Sequence, residues 1–401
     1  MSAVALAALL SACGAGAPAS SPAAPPASSG PASPAGSAAA KPSAVASTPA
    51  SAAAGSASAK PAASTSAAGS AAAAAKPGAV KLMELTPTPD PNLSYALETQ
   101  ELGLFQKHGV NVEILRAGGG GPQKVQILVS GSTDVVMTDI ISMYSAFYQT
   151  SDMTGIFAPV ARFGVPVAAA PNITSVEQLK GKQVSVPSLA GAARFLMTIA
   201  FDHFGVKDQD IKWLAIPDTS ESLSAIAAGR VPAGYISTAA IPLIQQDPLY
   251  KDKVHILLDT TAQYTPPWPN FAFITKKAWL QQNPDAAERI VEALLDMERT
   301  FANDQKSYAT VAHKIFPSLS EEQGAQVWKL LTDSGNWAVN GGVNLEGTQV
   351  ALDTFLKAQN QAPNKNLSKS ADAFDTGPLK TALGKMSIIS GAKDVPDWYK
   401  K

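Results

Sequence analysis

The stretch from Tyr95 to Asp139 constrains the fold of this 401-residue chain more than any other part of it. Apolar residues in its first part recur at helical spacing and predict one amphipathic helix that ends at Gly109, with Glu98 among the polar residues on its outer side. The segment 110–115 alternates as a short strand. Glycines 118–121 follow, and they give the backbone a conformational freedom that no other residue type supplies.

The residues after these glycines continue the alternation of helix and strand. Pro122 suits the first turn of a helix whose positions Val125, Leu128 and Val129 are expected to face a sheet. The strand at 135–137 lacks alternation, which indicates burial on both faces. Strands that alternate with helices predict the α/β class with a largely parallel sheet. Because such sheets bind ligands outside the carboxyl ends of their strands, the glycine turn is expected to lie beside a crevice.

Several consecutive motifs of the chain resemble those of one known family. They are ELGLF, KHGV and VE before the glycine turn, PQKVQILVSGSTDVV after it, and ITSVEQLKGKQVSVPSLAGAARFLM further on. In this order, between Lys81 and Gln246, they resemble the solute-binding proteins of ABC importers, within the family that serves nitrate, sulfonates, taurine and pyrimidine precursors of thiamine. The resemblance implies a two-lobed periplasmic-binding-protein fold of type II, in which each lobe is a mostly parallel sheet flanked by helices.

The resemblance also implies how the chain is divided between the lobes. Lobe 1 is expected to comprise residues 80–168 and 268–401, and lobe 2 residues 169–267. Hinges between them are expected near 164–171 and 262–270. The pattern AIAAGRVPAGYIST in the second lobe echoes ILVSGSTDVVMTD in the first, which indicates two similarly built lobes.

The first 79 residues are expected to attach the globular part to a membrane. Leu10-Ser11-Ala12-Cys13 resembles a bacterial lipobox, so residues 1–13 are interpreted as a lipoprotein signal that ends at the lipidated Cys13, although the chain lacks a basic start. Residues 14–79 are almost entirely Ala, Ser, Pro and Gly and cannot bury enough apolar surface to fold, which predicts a disordered tether. The head is therefore expected outside the cytoplasm of a bacterium, held by lipid alone.

Charge and residue counts argue against several classes of function. A net charge of -1 without basic clusters argues against a nucleic-acid partner. A single cysteine and four widely spaced histidines argue against a disulfide framework and a metal site. The chain has no P-loop, dinucleotide fingerprint or nucleophile elbow. We therefore expect neither metal nor cofactor nor catalytic residues. The protein is separately expected to be a monomer.

The expected ligand-binding residues lie at strand ends, helix starts and Pro-rich crossings. Helix starts present free N–H groups to a ligand, and Arg194 in such a first turn could pair with a carboxylate or sulfonate. Helix capping explains many of the polar residues equally well. The complete set is Thr88, Asp90, Asn92, Gly119, Gly120, Thr138, Asp139, Phe163, Ser188, Gly191, Arg194, Tyr235, Ser237, Trp268 and Asn270.

The function that the resemblance implies is the capture of a small organic or anionic solute and its delivery to an ABC permease. Aromatic side chains near the crossings and Asp139 favour a nitrogen-containing solute, whereas Arg162 and Arg194 favour an anion. One alternative is an enzyme on the same fold that acts on a small pyrimidine or carboxylate. Another is a receptor subunit that presents its ligand to a signalling partner.

Overall fold

A computed structural model describes residues 78–86, 90–91, 93–161, 164–259, 264, 269–396 and 399. They all belong to the second of two units into which the chain divides, Ala73–Lys401. The lipobox with Cys13 and nearly all of the expected tether lie outside the described residues, so both remain predictions.

The strands of the described ranges form two sheets of five. In the first sheet the order is β2-β1-β3-β10-β4, where the strands are β1 (Val80–Met83), β2 (Val112–Leu115), β3 (Val135–Asp139), β4 (Met153–Phe157) and β10 (Phe271–Lys276). In the second it is β7-β6-β8-β5-β9, where the strands are β5 (Val167–Ala169), β6 (Gln183–Val186), β7 (Lys212–Ala215), β8 (Ala233–Tyr235) and β9 (His255–Leu258). The equivalent orders confirm the predicted similarity of the two halves.

Each sheet is mostly parallel, as predicted, but each also contains one strand that runs against the others. The strand β10 is antiparallel to both of its neighbours, β3 and β4, and β5 is likewise antiparallel to β8 and β9. Both are the first strands after the chain crosses between the sheets. The chain crosses between the carboxyl ends of the parallel strands of the two sheets. The first strand after each crossing therefore begins on that side of its sheet and runs in the direction opposite to its neighbours.

Helices cover the faces of the sheets. Their bounds are α1 (Tyr95–Glu101), α2 (Leu104–Lys107), α3 (Gly121–Ser130), α4 (Ile140–Gln149), α5 (Ala192–Asp202), α6 (Thr219–Ala227), α7 (Ala240–Gln246), α8 (Lys277–Gln282), α9 (Pro284–Asn303), α10 (Gln305–Ile315), α11 (Glu321–Ser334), α12 (Leu345–Ala358) and α13 (Gly377–Met386). The long helix α9 is amphipathic, with Ile290, Val291 and Leu294 fully buried. No helix within the described ranges combines the length and apolar character needed to cross a bilayer.

Three details of the first helices differ from the sequence prediction. The predicted single helix from Tyr95 is two helices, because Gly103 adopts a left-handed backbone conformation with φ 69° between α1 and α2. Glu98 was expected on the outer side but is only 3% exposed, because α9 and α10 cover that side of α1. In α3, Val125 and Leu128 are buried as predicted, whereas Val129 lies on the solvent side of the buried stripe and is 48% exposed.

Candidate ligand-binding site

A cleft of about 250 Å³ lies between the strand ends of the two sheets. The first sheet contributes Leu85 and Thr86 after β1 and Asp139 at the end of β3. The second contributes Pro187 after β6 and Pro217 after β7. These are the carboxyl ends of parallel strands, where α/β sheets bind their ligands.

Asp139 joins the two halves of the molecule at this cleft. Its buried carboxylate caps α4, since Oδ1 accepts from the Ser142 N–H at 2.9 Å and Oδ2 accepts from the Ser142 hydroxyl at 2.7 Å. The same Oδ1 accepts from the N–H of Ala192, the first residue of α5, at 3.1 Å. Burial raises the pKa of the Asp139 carboxyl, and the bonds from Ser142 and Ala192 oppose that rise. One carboxylate therefore bonds to helix starts on both sides of the cleft.

The glycine turn allows close packing against Asp139 within the first half of the molecule and against Ser188 across the cleft. A Cβ atom on Gly121 would lie 1.9 Å from Asp139 Oδ2. A Cβ atom on Gly120 would lie 2.5 Å from Cβ of Ser188, which belongs to the loop after β6. Both distances are shorter than any non-bonded contact, so only glycine fits this arrangement.

Two polar atoms of the cleft wall have no hydrogen-bond partner in the described part of the chain. Asn270 Oδ1 and Thr86 Oγ1 are buried there without a hydrogen bond. Unsatisfied buried groups of this kind can bind a solute or water at little further cost. Nearby, burial raises the pKa of the Tyr235 hydroxyl, and the negative charge of Asp90 raises it further. The hydroxyl therefore stays protonated.

The predicted site residues fall into three groups. Those that line the cleft are Asp90, Gly119, Gly120, Asp139, Ser188, Gly191, Tyr235, Ser237 and Asn270. Thr138 and Arg194 do not line it. The remainder, which are Thr88, Asn92, Phe163 and Trp268, lie outside the described residues. A role in ligand binding remains a prediction for all of them.

Arg194 and Thr138 are engaged elsewhere. The Arg194 guanidinium donates to both carboxylate oxygens of Asp208, at 3.3 and 2.6 Å, and lies 5.6 Å from the ring centroid of Trp213. Ala192 and Ala193 line the cleft, but Arg194 lies further round the helix. The buried Thr138 hydroxyl donates to the carbonyl oxygen of Gly121 at 3.2 Å.

Several cleft residues were not predicted from the sequence. Asp218 follows β7 and caps α6, so the rule that identified Asp139 at a strand end would also have found it. Asp247 and Tyr250 follow α7, and Phe316 follows α10, which are positions without any local signal of ligand binding. Only the folded chain brings these three residues to the cleft.

The cleft offers hydroxyl, amide and carboxylate groups together with aromatic rings. Among the described lining residues there is no Lys, Arg, His or Cys. The described part of the chain also contains no cluster of three His, Cys, Asp or Glu residues that could hold a metal ion. The arrangement is suited to hold a small molecule by hydrogen bonds and apolar contact.

Solved structures with a similar fold include bacterial solute-binding proteins. The periplasmic nitrate-binding protein NrtA from Synechocystis PCC 6803 is 13% identical, with a TM-score of 0.60 over 79% of this chain and 90% of that one. The alkanesulfonate-binding protein SsuA from Xanthomonas axonopodis pv. citri, solved with MOPS, is 14% identical, with a TM-score of 0.56 over 75% and 99%. The aliphatic sulphonate binding protein SsuA from Escherichia coli is 18% identical, with a TM-score of 0.53 over 75% and 92%.

These likenesses show the two-lobed periplasmic-binding-protein fold that the sequence predicted. The comparison with curated proteins gave no match. The family comparison matches residues 90–305, which is more than half of the chain and includes the cleft residues from Asp90 to Phe271. The chain is therefore a member of the NMT1/THI5 like family.

Proposed function

We propose that the protein captures a small solute in this cleft and delivers it, chemically unchanged, to the permease of an ABC importer. The observation that carries the proposal is the position of the cleft, which is built from the strand ends of both sheets. The similar NrtA and SsuA structures are named as binding proteins for nitrate and sulfonates, which supports the same type of role here.

Capture would depend on movement of the two halves. Asp139 bonds to Ala192 across the cleft, and Gly120 lies close to Ser188, so separation of the two halves would break these contacts and widen the cleft for a solute. The parts expected to move are lobe 1 and lobe 2, about hinges near 164–171 and 262–270. A solute that contacts both halves binds the closed form better than the open one and so shifts the population towards closure.

Anchoring by lipid on Cys13 would keep the protein beside its permease. The segment 14–79 would act as a tether that lets a monomeric head move above the membrane surface. The protein would then lie outside the cytoplasm, in the periplasm or at the cell surface.

The test is a thermal-shift screen of the full chain with nitrate, taurine, alkyl and aryl sulfonates, aromatic carboxylates, hydroxymethylpyrimidine and aromatic amines. At least one class should raise the melting temperature in a saturable manner, because a ligand of the native state stabilises that state. The bound compound is then released by denaturation and identified by mass spectrometry. Recovery of an altered compound would favour the enzyme alternative, and a complete lack of stabilisation would contradict solute binding.

A further inference from the structure

The side chain of Asn270 is a polar group of the cleft wall that the described part of the protein leaves unbonded. The residue is 1% exposed, and its Oδ1 atom is buried without a hydrogen bond from any described residue. An amide oxygen that is buried without a partner costs free energy, so such atoms are rare in folded proteins. Where one of them borders a cavity, a molecule in the cavity can supply the missing donor.

The main chain fixes the position of Asn270 in the wall. Its carbonyl oxygen accepts from the N–H of Ile140, the first residue of α4, at 2.8 Å. The next residue, Phe271, begins β10 and pairs with Asp139 at the end of β3. Because the sheet and a helix start hold the backbone on both sides, the amide group is preorganised for a ligand.

The two unbonded atoms of the cleft wall differ in what they require of a partner. The Thr86 hydroxyl can rotate to donate or to accept, so it is compatible with either kind of solute group. The amide oxygen of Asn270 can only accept. The other buried atoms of this kind within the described ranges belong to residues that do not line the cleft. Of the two wall atoms, Asn270 Oδ1 alone therefore restricts the chemistry of the solute.

A solute that fills the cleft excludes water from Asn270. If the solute carries an N–H or O–H group at this point, the oxygen gains a hydrogen bond in a buried environment, where such a bond is strong. If the solute carries only acceptors or apolar atoms there, the oxygen loses access to water and gains nothing. A site of this kind discriminates strongly against analogues that lack the donor.

We propose that Asn270 determines the specificity of the cleft, by selecting solutes that carry a hydrogen-bond donor. Its Oδ1 accepts from an N–H or O–H group of the solute, and apolar wall residues such as Leu93, Leu223 and Leu243 contact the body of the solute. Nitrate and simple alkanesulfonates offer only acceptors when they are ionised, so they are poor solutes for this cleft. The inference rests on the proposed function, because it identifies the class of solute that the same cleft captures.

The test uses two pairs of uncharged probes of nearly equal shape. Benzamide and acetophenone are the aromatic pair, propionamide and butanone are the aliphatic pair, and in each pair a methyl group of the ketone replaces the amino group of the amide. Ligand-observed NMR titrations with the full chain measure the dissociation constants. We expect the amide of at least one pair to bind about tenfold or more tightly than its ketone. No probe carries a net charge, so the comparison does not depend on the net charge of the cleft.

A pair of variants assigns the preference to Asn270. Asn270→Leu replaces the amide by an apolar group of similar size, and Asn172→Leu makes the same change at an exposed turn after β5, outside the cleft. Asn270→Leu should weaken binding of the amide about tenfold, to the affinity of the ketone, without weakening the ketone. Asn172→Leu should leave all four affinities unchanged.

The stability of the variant without a probe separates a binding role from a structural one. Removal of an unpaired buried oxygen relieves a cost of folding, so Asn270→Leu should melt about 1 to 3 °C above the wild type. Thermal melts of the full chain, followed by circular dichroism, measure this shift. A lower melting temperature together with an unchanged preference for the amide would assign a structural role to Asn270 and overturn the inference.

The comparison of probes in the wild type is decisive even without the variants. Equal binding of amide and ketone would overturn the inference. Equal losses of both in Asn270→Leu would also overturn it, because Asn270 would then donate to the carbonyl group that the two probes share. If none of the four probes binds, the donor class is wrong. Saturable stabilisation by nitrate in the solute screen described above would contradict this inference and still support the proposed function.

Discussion

Glu84 shows how strongly the tertiary structure changes the chemistry of one residue. It follows β1 and is fully buried, and its Oε1 accepts from the Leu97 N–H at 2.8 Å. Burial is the main reason that its pKa rises from 4.5 to about 7. Burial also raises the pKa values of Glu98 and Glu298, and each of these carboxyl groups has one oxygen without a hydrogen bond in the described part of the chain.

This burial predicts a pH-dependent stability. Because the pKa of Glu84 is raised in the folded state, its contribution to stability is fully present below about 4.5 and is lost as the pH rises through about 7. Glu84→Gln retains an oxygen for the Leu97 N–H but cannot ionise. The change in unfolding free energy between about pH 4 and about pH 8 should therefore shrink by up to about 3 kcal/mol in this variant.

The measurement is denaturant unfolding of the full chain at both pH values. Glu113→Gln is the matched control, since Glu113 is exposed on the adjacent strand β2 and should leave the pH dependence as in the wild type. An unchanged pH dependence in Glu84→Gln would show that Glu84 ionises normally in the folded protein.

At the scale of single elements, two glycines have opposite roles. Gly103 interrupts the first helix with φ 69°, a conformation that other residues adopt only with strain. Gly384 lies within α13, is exposed, and has no atom within 4 Å of an added Cβ. The first glycine is therefore required by its backbone conformation, whereas the second only weakens a helix.

Alanine substitutions should move the stability in opposite directions. We expect Gly103→Ala to lower the unfolding free energy by about 1 kcal/mol, because it forces alanine into the left-handed region. Gly384→Ala should raise it by about 0.5 to 1 kcal/mol, because alanine favours the helix and restricts the unfolded chain. Urea midpoints at a constant slope would measure both changes, and a shift of both in the same direction would contradict these assignments.

At the scale of the whole molecule, the contact between Gly120 and Ser188 controls how closely the two sides of the cleft can approach. The backbone of Gly120, with φ -88° and ψ -168°, is extended and open to any residue. A methyl group there would nevertheless lie 2.5 Å from Ser188 Cβ. The strain of Gly120→Ala would therefore act on the approach of the two halves and not on the local fold.

Hydrogen exchange can detect this effect without a ligand. The Ala192 N–H is protected when it bonds to Asp139 across the cleft, so we expect Gly120→Ala to accelerate its exchange about tenfold or more, which corresponds to about 1.4 kcal/mol. Gly118→Ala is the control, because nothing lies within 4 Å of its added Cβ. If Ala192 kept its protection in Gly120→Ala, the glycine would not be needed for the contact.

The candidate site was partly predictable because one rule for it is local. Strand ends followed by small or polar residues identified Asp139, Ser188 and Ser237, all of which line the cleft. The same reasoning placed Arg194 at a helix start, but it could not show that Asp208 would pair with the guanidinium. Pairing between side chains from separate elements depends on distances that no local pattern contains.

The α/β class, the similarity of the two halves and the strands at 110–115 and 135–137 follow from the amino-acid pattern alone, because hydrophobic period and glycine placement act over a few residues. The antiparallel direction of β5 and β10 and the burial of Glu98 became evident only in the folded chain. The tertiary structure also decided that Asp139 bonds to Ala192 and that Phe316 reaches the cleft. These features arise where distant segments pack together, and long-range packing sets both the burial of a side chain and the partner that it meets.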